Sequence, residues 1–153
     1  MAELVRLVEV VAGSVWVARS RRYDTTSTVI LDGAGGALVI DPAWDADELA
    51  AIPADLAALG VRAVAGLATH MHYDHVEMRS LRLLGDIPML TAPDNAAWLR
   101  TRGIAGGTGL EADEWYDVPD REGSGEEVRV RLVKADHQTR PLPSRPSTAN
   151  GHI

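Results

Sequence analysis

The sequence predicts a single α+β domain, and three patterns support that prediction. Short apolar runs rich in β-branched residues, typical of strands, open the chain. Apolar residues then recur at helical spacing after residue 45. The 153 residues are 46% hydrophobic and 24% charged, a balance typical of one globular domain with its own core. We therefore expect one domain over residues 1–153, with an irregular, proline-containing tail at residues 140–153.

The first seventy residues predict four strands, a helix and a fifth strand. Asp45 and Glu48 have the spacing of a capping box at a helix start, and Gly60 is typical of a helix end. Pro53 should kink or restart this helix, because proline lacks a backbone donor. The strands are expected at Leu4–Val11, Val15–Ala18, Ser27–Leu31, Ala37–Ile40 and Arg62–Ala68.

The second half of the chain is expected to contain further helices and short strands. The tryptophans at 98 and 115 are expected to be packing residues. The helices are expected at Val76–Leu84 and Pro93–Arg102, the strands at Pro88–Leu90 and Val128–Leu132, and a loop at Gly103–Gly109.

Charge and composition argue against several classes of protein. The net charge is −7, whereas surfaces that bind nucleic acid usually carry a basic excess, so no nucleic-acid partner is expected. No apolar run reaches the roughly 18 residues that span a bilayer, and Arg6 and Glu9 interrupt the apolar N-terminus, so neither a membrane span nor a signal peptide is predicted. The absence of cysteine excludes disulfides and thiolate ligands. A cytoplasmic location is the expectation compatible with these features.

The segment Thr69–His75, THMHYDH, holds three of the five histidines and one carboxylate at the end of a predicted buried strand. His70 and His72 are two residues apart, so their rings point to the same side of an extended segment. Imidazole and carboxylate ligands suit zinc, and also iron or manganese. A catalytic metal needs about three protein ligands and one open position. The segment therefore predicts a metal site.

The third ligand of that site is expected to be His137, which also follows a predicted strand. The predicted ligands of the first metal are His70, His72 and His137, and Asp74 and His75 are expected to begin a second site. Two alternatives remain for these residues. Asp74 fits the capping box of the next helix, and His137 could be a solvated loop residue.

The hexapeptide HMHYDH resembles the H-x-H-x-D-H signature of the metallo-β-lactamase-fold hydrolases. STVILDGAGGALVIDPAW is similar to that family's paired strands ending in an aspartate, and GLATHMHYDH to its strand running into the metal loop. The resemblance implies an αββα sandwich of two facing mixed sheets with helices outside. It also implies that Asp41 supports the metal loop through contacts with it, without binding the metal itself. The alternative is that Asp41 is a turn or cap residue.

The function implied by the resemblance is metal-dependent hydrolysis of a small-molecule substrate. Zinc, the expected metal, makes water acidic enough to attack an ester-type bond at neutral pH, such as a lactone, thioester or phosphodiester. Asp74 would orient the attacking water as well as bind metal. Arg140 and Arg145 are candidates for holding a substrate phosphate, the alternative being solvated arginines in a proline-rich loop.

The chain departs from the family pattern after His137. The family takes a bridging carboxylate and a last histidine from its second half, but no carboxylate follows Asp136 here, and His152 lies too near the end of the sequence. We therefore expect only the N-terminal half to two-thirds of the sandwich, with one tight metal site and an incomplete second one. An uncovered apolar sheet face would follow, which makes a homodimer possible.

Two further hypotheses follow from the C-terminal part. DHQTRPLPSRPSTANGHI resembles the branch that contains N-acyl-phosphatidylethanolamine phospholipase D-like enzymes and ascorbate-phosphate lactonases. The alternative to an enzyme is a truncated, metal-binding relative with little or no catalysis, which would act as a fragment or an interaction module.

Overall fold

The computed structural model describes residues 4–22, 24–42, 45–70, 75–76, 78–104, 106–118 and 128–133. The helices are α1 (Ala46–Leu49), α2 (Ala51–Ala58), α3 (Met78–Leu83) and α4 (Pro93–Thr101). The strands are β1 (Val8–Val11), β2 (Val15–Arg19), β3 (Thr26–Leu31), β4 (Gly36–Ile40), β5 (Arg62–Leu67), β6 (Met89–Thr91), β7 (Gly107–Gly109), β8 (Trp115–Asp117) and β9 (Arg129–Arg131). In the part of the chain that these ranges cover, no helix has the length and apolar character needed to cross a membrane.

A seven-stranded sheet in the order β1 to β7 organises the domain, and β8 and β9 form a second, two-stranded sheet. Strands β1 to β4 are antiparallel neighbours, whereas β4 to β7 run parallel. Strands β2 and β4 to β7 therefore end at the same side of the sheet, here called the carboxyl edge. The ladder continues to this edge, since the Asp41 N–H donates to the Leu67 carbonyl at 2.8 Å.

The large sheet buries apolar side chains on both faces. On one face, Ile52 and Leu56 of α2 pack with Val29 and Val39 of the sheet. On the other face, Leu38, Leu90, Val118 and the hairpin residues Tyr116 and Val130 form a separate cluster. Successive residues of β4 point to alternate faces, so one strand serves both clusters. Helices, large sheet and small sheet thus form successive layers, which confirms the predicted α+β class.

Strand β1 lies at an edge of the large sheet and exposes three valines. Val8, Val10 and Val11 are 65%, 58% and 52% exposed. Apolar area is therefore open on this strand. The homodimer, which is expected because an incomplete sandwich would leave a sheet face uncovered, stays a prediction.

The helix predicted between residues 45 and 60 is present as α1 and α2, which are separated at Ala50. Pro53 lies in the first turn of α2, so the helix restarts near this proline, as predicted. The predicted contact between Asp45 and Glu48 is present, since the Glu48 carboxylate accepts the Asp45 N–H at 3.1 Å.

The loop predicted at Gly103–Gly109 is wrong at its C-terminal end, where β7 forms. A Cβ at Gly107 would lie 2.8 Å from the Ala96 carbonyl oxygen, and one at Gly109 would lie 2.9 Å from the Pro93 Cα. The two glycines therefore let α4 lie directly against the strand. A glycine-rich sequence has little intrinsic strand propensity, so packing against α4 decides this segment.

Trp98 and Trp115 pack against arginines at the surface rather than in the core. They are 42% and 57% exposed. Each ring lies beneath a guanidinium group, with Arg102 5.1 Å from the Trp98 centroid and Arg131 5.1 Å from the Trp115 centroid. Arginine stacking covers part of each ring at the surface.

The segment before β1 was predicted as strand but is held by a carboxylate instead. Asp55 of α2 is fully buried and accepts the backbone N–H groups of Val5, Arg6 and Leu7, the last two at 2.8 and 2.9 Å. Three donors that lack a ladder partner are thereby satisfied by one side chain. Asp55 fixes the N-terminal segment to the helix layer.

We expect Asp55→Asn to lower the free energy of unfolding by about 2 kcal/mol, because the amide nitrogen would face backbone donors and the charge would be lost. Urea denaturation measures the change. Asp113→Asn is the matched control, since Asp113 is exposed and asparagine tolerates its positive φ of 66°. Equal stability of the Asp55 variant and the control would contradict the role given to Asp55.

Glu48 of α1 joins this helix to the turn between β2 and β3. It is 1% exposed and accepts hydrogen bonds from the Ser20 hydroxyl and the Arg21 N–H, both at 3.3 Å, as well as from the Asp45 N–H. Arg6 forms an ion pair with the same carboxylate. Burial raises the pKa of Glu48, but the backbone donors and Arg6 together outweigh it and hold the pKa below its ordinary value.

A carboxyl group with a lowered folded-state pKa stabilises the fold above its unfolded pKa, and the stabilisation is lost as pH falls through the folded value. We therefore expect the free energy of unfolding to decline below about pH 4.5, partly through Glu48. In Glu48→Gln, stability at pH 7 should fall by about 2 kcal/mol and the acid slope should become shallower. Denaturation between pH 3 and pH 7 tests this, and an unchanged slope would contradict it.

Candidate metal centre

Asp41 follows β4 at the carboxyl edge and has an unusual backbone conformation. Its φ is 48°, in the left-handed region that aspartate tolerates better than most residues with a Cβ. The residue is 8% exposed. The chain therefore turns sharply at the strand end while the Asp41 side chain stays inside.

The Asp41 carboxylate ties the end of β4 to the end of β5. Its Oδ1 accepts the Thr69 N–H at 2.8 Å, and its Oδ2 accepts the Thr69 hydroxyl at 2.7 Å. Thr69 immediately precedes His70. Both oxygens of one carboxylate thus fix the point at which the histidine-rich segment begins.

The same carboxylate also contacts His75. The His75 Nδ1 lies 3.1 Å from Oδ2 of Asp41. A carboxylate can only accept, so this geometry assigns a proton to Nδ1, and in the neutral ring Nε2 then has the lone pair. An imidazole oriented in this way by a carboxylate is typical of metal sites.

His70 is oriented through Thr69. The His70 Nδ1 lies 3.2 Å from the Thr69 Oγ1. Because the Thr69 hydroxyl proton goes to Asp41, the threonine oxygen accepts from His70 Nδ1. The lone pair of His70 is therefore also on Nε2. One carboxylate sets the tautomer of both rings, directly at His75 and through Thr69 at His70.

The two imidazole rings lie side by side at the surface of this edge. Their centroids are 3.9 Å apart and their planes make an angle of 45°. The His75 side chain is 25% exposed and that of Asp41 11% exposed. The supporting carboxylate is thus more enclosed than the ring that it orients, an arrangement suited to a site that opens to solvent.

The structure brings together three of the residues that the sequence singled out, namely Asp41, His70 and His75. Thr69 and Ser27, whose hydroxyl donates to the Asp41 carbonyl at 2.7 Å, were not predicted. Within the described residues, no three potential ligand side chains are grouped so that they could hold a metal ion. The other predicted site residues, and the predicted tail, lie outside the described ranges: His72, Asp74, His137, Arg140, Arg145 and residues 140–153.

The imidazole groups at this edge fit a metal such as zinc, iron or manganese. Both rings have Nδ1 within hydrogen-bond distance of an oxygen atom, so Nε2 would be the ligand atom of each neutral ring. Neutral imidazole is a ligand common to all three metals, so the described residues do not choose among them.

Comparison with known proteins supports the predicted fold. Residues 21–76 match the family model described as "Metallo-beta-lactamase superfamily". The crystal structure of metallo-beta-lactamase IND-7 is similar over 72% of this chain and 54% of that chain, with 15% identity and a TM-score of 0.55. FIM-1 from Pseudomonas aeruginosa, in its mono-zinc form, is similar over 74% of this chain and 54% of that chain, with 19% identity and a TM-score of 0.53.

The chain spans about half the length of the solved structures that it matches. No curated protein sequence matches it significantly. The family match covers β3, β4, β5 and the histidine-rich segment, which are the elements that build the site. The match over residues 21–76 relates the chain to the metallo-β-lactamase superfamily, and the two structural likenesses show that it has the metallo-β-lactamase fold.

Proposed function

We propose that the protein is a metal-dependent hydrolase that uses a metal-activated water on an ester-type bond. The observation that carries the proposal is the orientation of His70 and His75 by Asp41 at the carboxyl edge of a metallo-β-lactamase fold. At a metal site, a carboxylate that fixes the orientation and tautomer of the imidazoles keeps the ligand nitrogen atoms in place. Two surface histidines without a ligand would require no such support.

The residues that would hold the first metal are His70, His72 and His137, and Asp74 and His75 would begin a second site. Zinc is the metal that we propose, with one tight site in each chain. When bound, zinc lowers the pKa of its water to about 7 and acts as a Lewis acid for the substrate oxygen. Asp74 would bind metal and orient the attacking water. Asp41 and Thr69 would keep the imidazoles in place during the reaction.

The substrate class that we propose is a small molecule with a lactone, thioester or phosphodiester bond. The finer proposal, a relationship to the phospholipase D-like and lactonase branch, rests on the sequence of residues 136–153 alone. Arg140 and Arg145 belong to that segment. Their guanidinium groups would bind a substrate phosphate in a bidentate manner, which favours the phosphodiester within this list.

Zinc titration of metal-free protein tests the metal proposal. We expect one tight equivalent in each chain, because three ligands complete one site and two are too few for a second. His72→Ala should lose tight binding, whereas His152→Ala, which changes a histidine outside the proposed site, should keep it. Two tight equivalents, or equal zinc content in the protein and in His72→Ala, would contradict the proposal.

Activity assays then distinguish the proposed hydrolase from the non-catalytic alternative. The zinc-loaded protein is assayed on a lactone, a thioester and a phosphodiester, with the chelated protein and His72→Ala as controls. Zinc-dependent hydrolysis of any one bond, absent in both controls, supports the hydrolase. Tight zinc binding without turnover on all three would favour a metal-binding relative that acts as an interaction module.

Asp41 is predicted to control metal affinity through its carboxylate. We expect Asp41→Asn to weaken zinc binding by about 10- to 100-fold, because the amide nitrogen would face His75 Nδ1 and favour the wrong tautomer. Asp41→Gly removes the carboxylate but keeps the backbone conformation, since glycine adopts a φ of 48° without strain. This variant therefore tests the carboxylate alone. Competition with a chromophoric chelator gives the affinities. Wild-type affinity in Asp41→Gly would show that the carboxylate is not required.

A further inference from the structure

Ser27 is a buried hydroxyl residue near the start of β3, behind the candidate metal centre. It is 1% exposed, and its Oγ donates a hydrogen bond to the backbone carbonyl of Asp41 at 2.7 Å. Its side chain acts on the backbone of the residue whose carboxylate orients the imidazoles.

The location of this bond explains why a side chain is needed there. The pairing of β3 with β4 ends at Thr28 and Ile40, so the Asp41 carbonyl lies beyond the last ladder pair. Asp41 then takes a φ of 48°, which turns its backbone out of the strand. A buried carbonyl left without a donor costs free energy, so the Ser27 hydroxyl favours the turned conformation.

The turned conformation determines where the carboxylate goes. With φ in the left-handed region, the Asp41 side chain reaches the Thr69 N–H and hydroxyl at 2.8 and 2.7 Å and His75 Nδ1 at 3.1 Å. With an extended φ at Asp41, the Cα–Cβ bond would point in another direction, because rotation about the N–Cα bond moves the whole side chain. The backbone angle at Asp41 and the imidazole tautomers are therefore linked.

We propose that Ser27 is a positioning residue of the candidate metal centre. Its hydroxyl holds Asp41 in the left-handed conformation, and through Asp41 it fixes the Nδ1–H tautomer of His70 and His75. The consequence for metal binding rests on the proposed function, whereas the consequence for the tautomers concerns the metal-free protein.

The experiment compares Ser27→Ala with Ser27→Thr, which keeps the hydroxyl, and with Thr28→Val, a matched control that removes a hydroxyl from the next residue of the same strand. Nitrogen-15 NMR of the histidine rings in metal-free protein at pH 8 reports the tautomers. Signals are assigned with single His70→Gln and His75→Gln variants. Zinc affinity, from chelator competition, is the second measurement.

In wild type and Thr28→Val we expect both rings to carry the proton on Nδ1. In Ser27→Ala we expect mixed tautomers at both rings and zinc binding weaker by about 10-fold, with Ser27→Thr restoring both. Ser27→Cys, which keeps the volume but donates weakly, replaces the alanine variant if that variant does not fold.

Wild-type tautomers in Ser27→Ala, or equal behaviour of the alanine and threonine variants, would overturn the proposal. A loss of thermal stability with unchanged tautomers would show that Ser27 serves only the fold, and would overturn it as well. If the wild-type protein binds no zinc, the proposed function fails, and the tautomer comparison still decides the role of Ser27.

Discussion

The candidate site depends on the hydrogen bonds that the Asp41 carboxylate accepts. Its two oxygens join the end of β4 to Thr69 at the end of β5 and contact the His75 ring. His70 and His75 are five positions apart, yet their ring centroids lie 3.9 Å from each other. Each ring has its Nδ1 side directed to Asp41 or to Thr69. Two acceptors that are hydrogen-bonded to each other, Asp41 and Thr69, account for a ring arrangement that helix or strand periodicity would not produce.

This arrangement requires a left-handed backbone conformation at Asp41, which costs about 1–2 kcal/mol for most L-amino acids. Hydrogen bonds to a charged group stabilise by about 1.5–3 kcal/mol each, and the Asp41 carboxylate takes part in three contacts. The favourable interactions therefore exceed the backbone strain. Because all three are made by one side chain, they are gained or lost together, which couples the strand ends to the imidazoles.

The sequence predicted the elements that depend on local pattern. Short apolar runs, several of them rich in β-branched residues, predicted β2 to β5 to within one residue at each end. The transition from a buried strand to histidines singled out His70 and His75, whose rings lie together in the structure. The sequence did not predict β7, whose glycines become a strand because α4 lies against them. It also missed β8, a three-residue strand of exposed and half-exposed side chains that pairs with β9 and has no clear apolar period of its own.

Thr69 and Ser27 show why part of the site was missed. Hydroxyl residues are frequent at strand ends, and no spacing distinguishes one that donates to a carboxylate from one that faces water. Their roles follow from the register of β3, β4 and β5, which brings residues 14 and 28 positions from Asp41 into contact with it. Asp41 could be proposed because the family pattern includes an aspartate at that strand end.

Three buried carboxylates of this protein accept hydrogen bonds from backbone N–H groups. Asp55 accepts three N–H groups of the segment before β1, Glu48 accepts those of Arg21 and Asp45, and Asp41 accepts that of Thr69. Each donor belongs to a segment that has left, or not yet entered, a ladder, and such donors must be satisfied when they are enclosed. At Asp55 and Glu48 the solution stabilises the scaffold. At Asp41 the carboxylate makes two further contacts, with the Thr69 hydroxyl and with the His75 ring. The side chain that satisfies a backbone donor at the strand end therefore also orients a neighbouring imidazole.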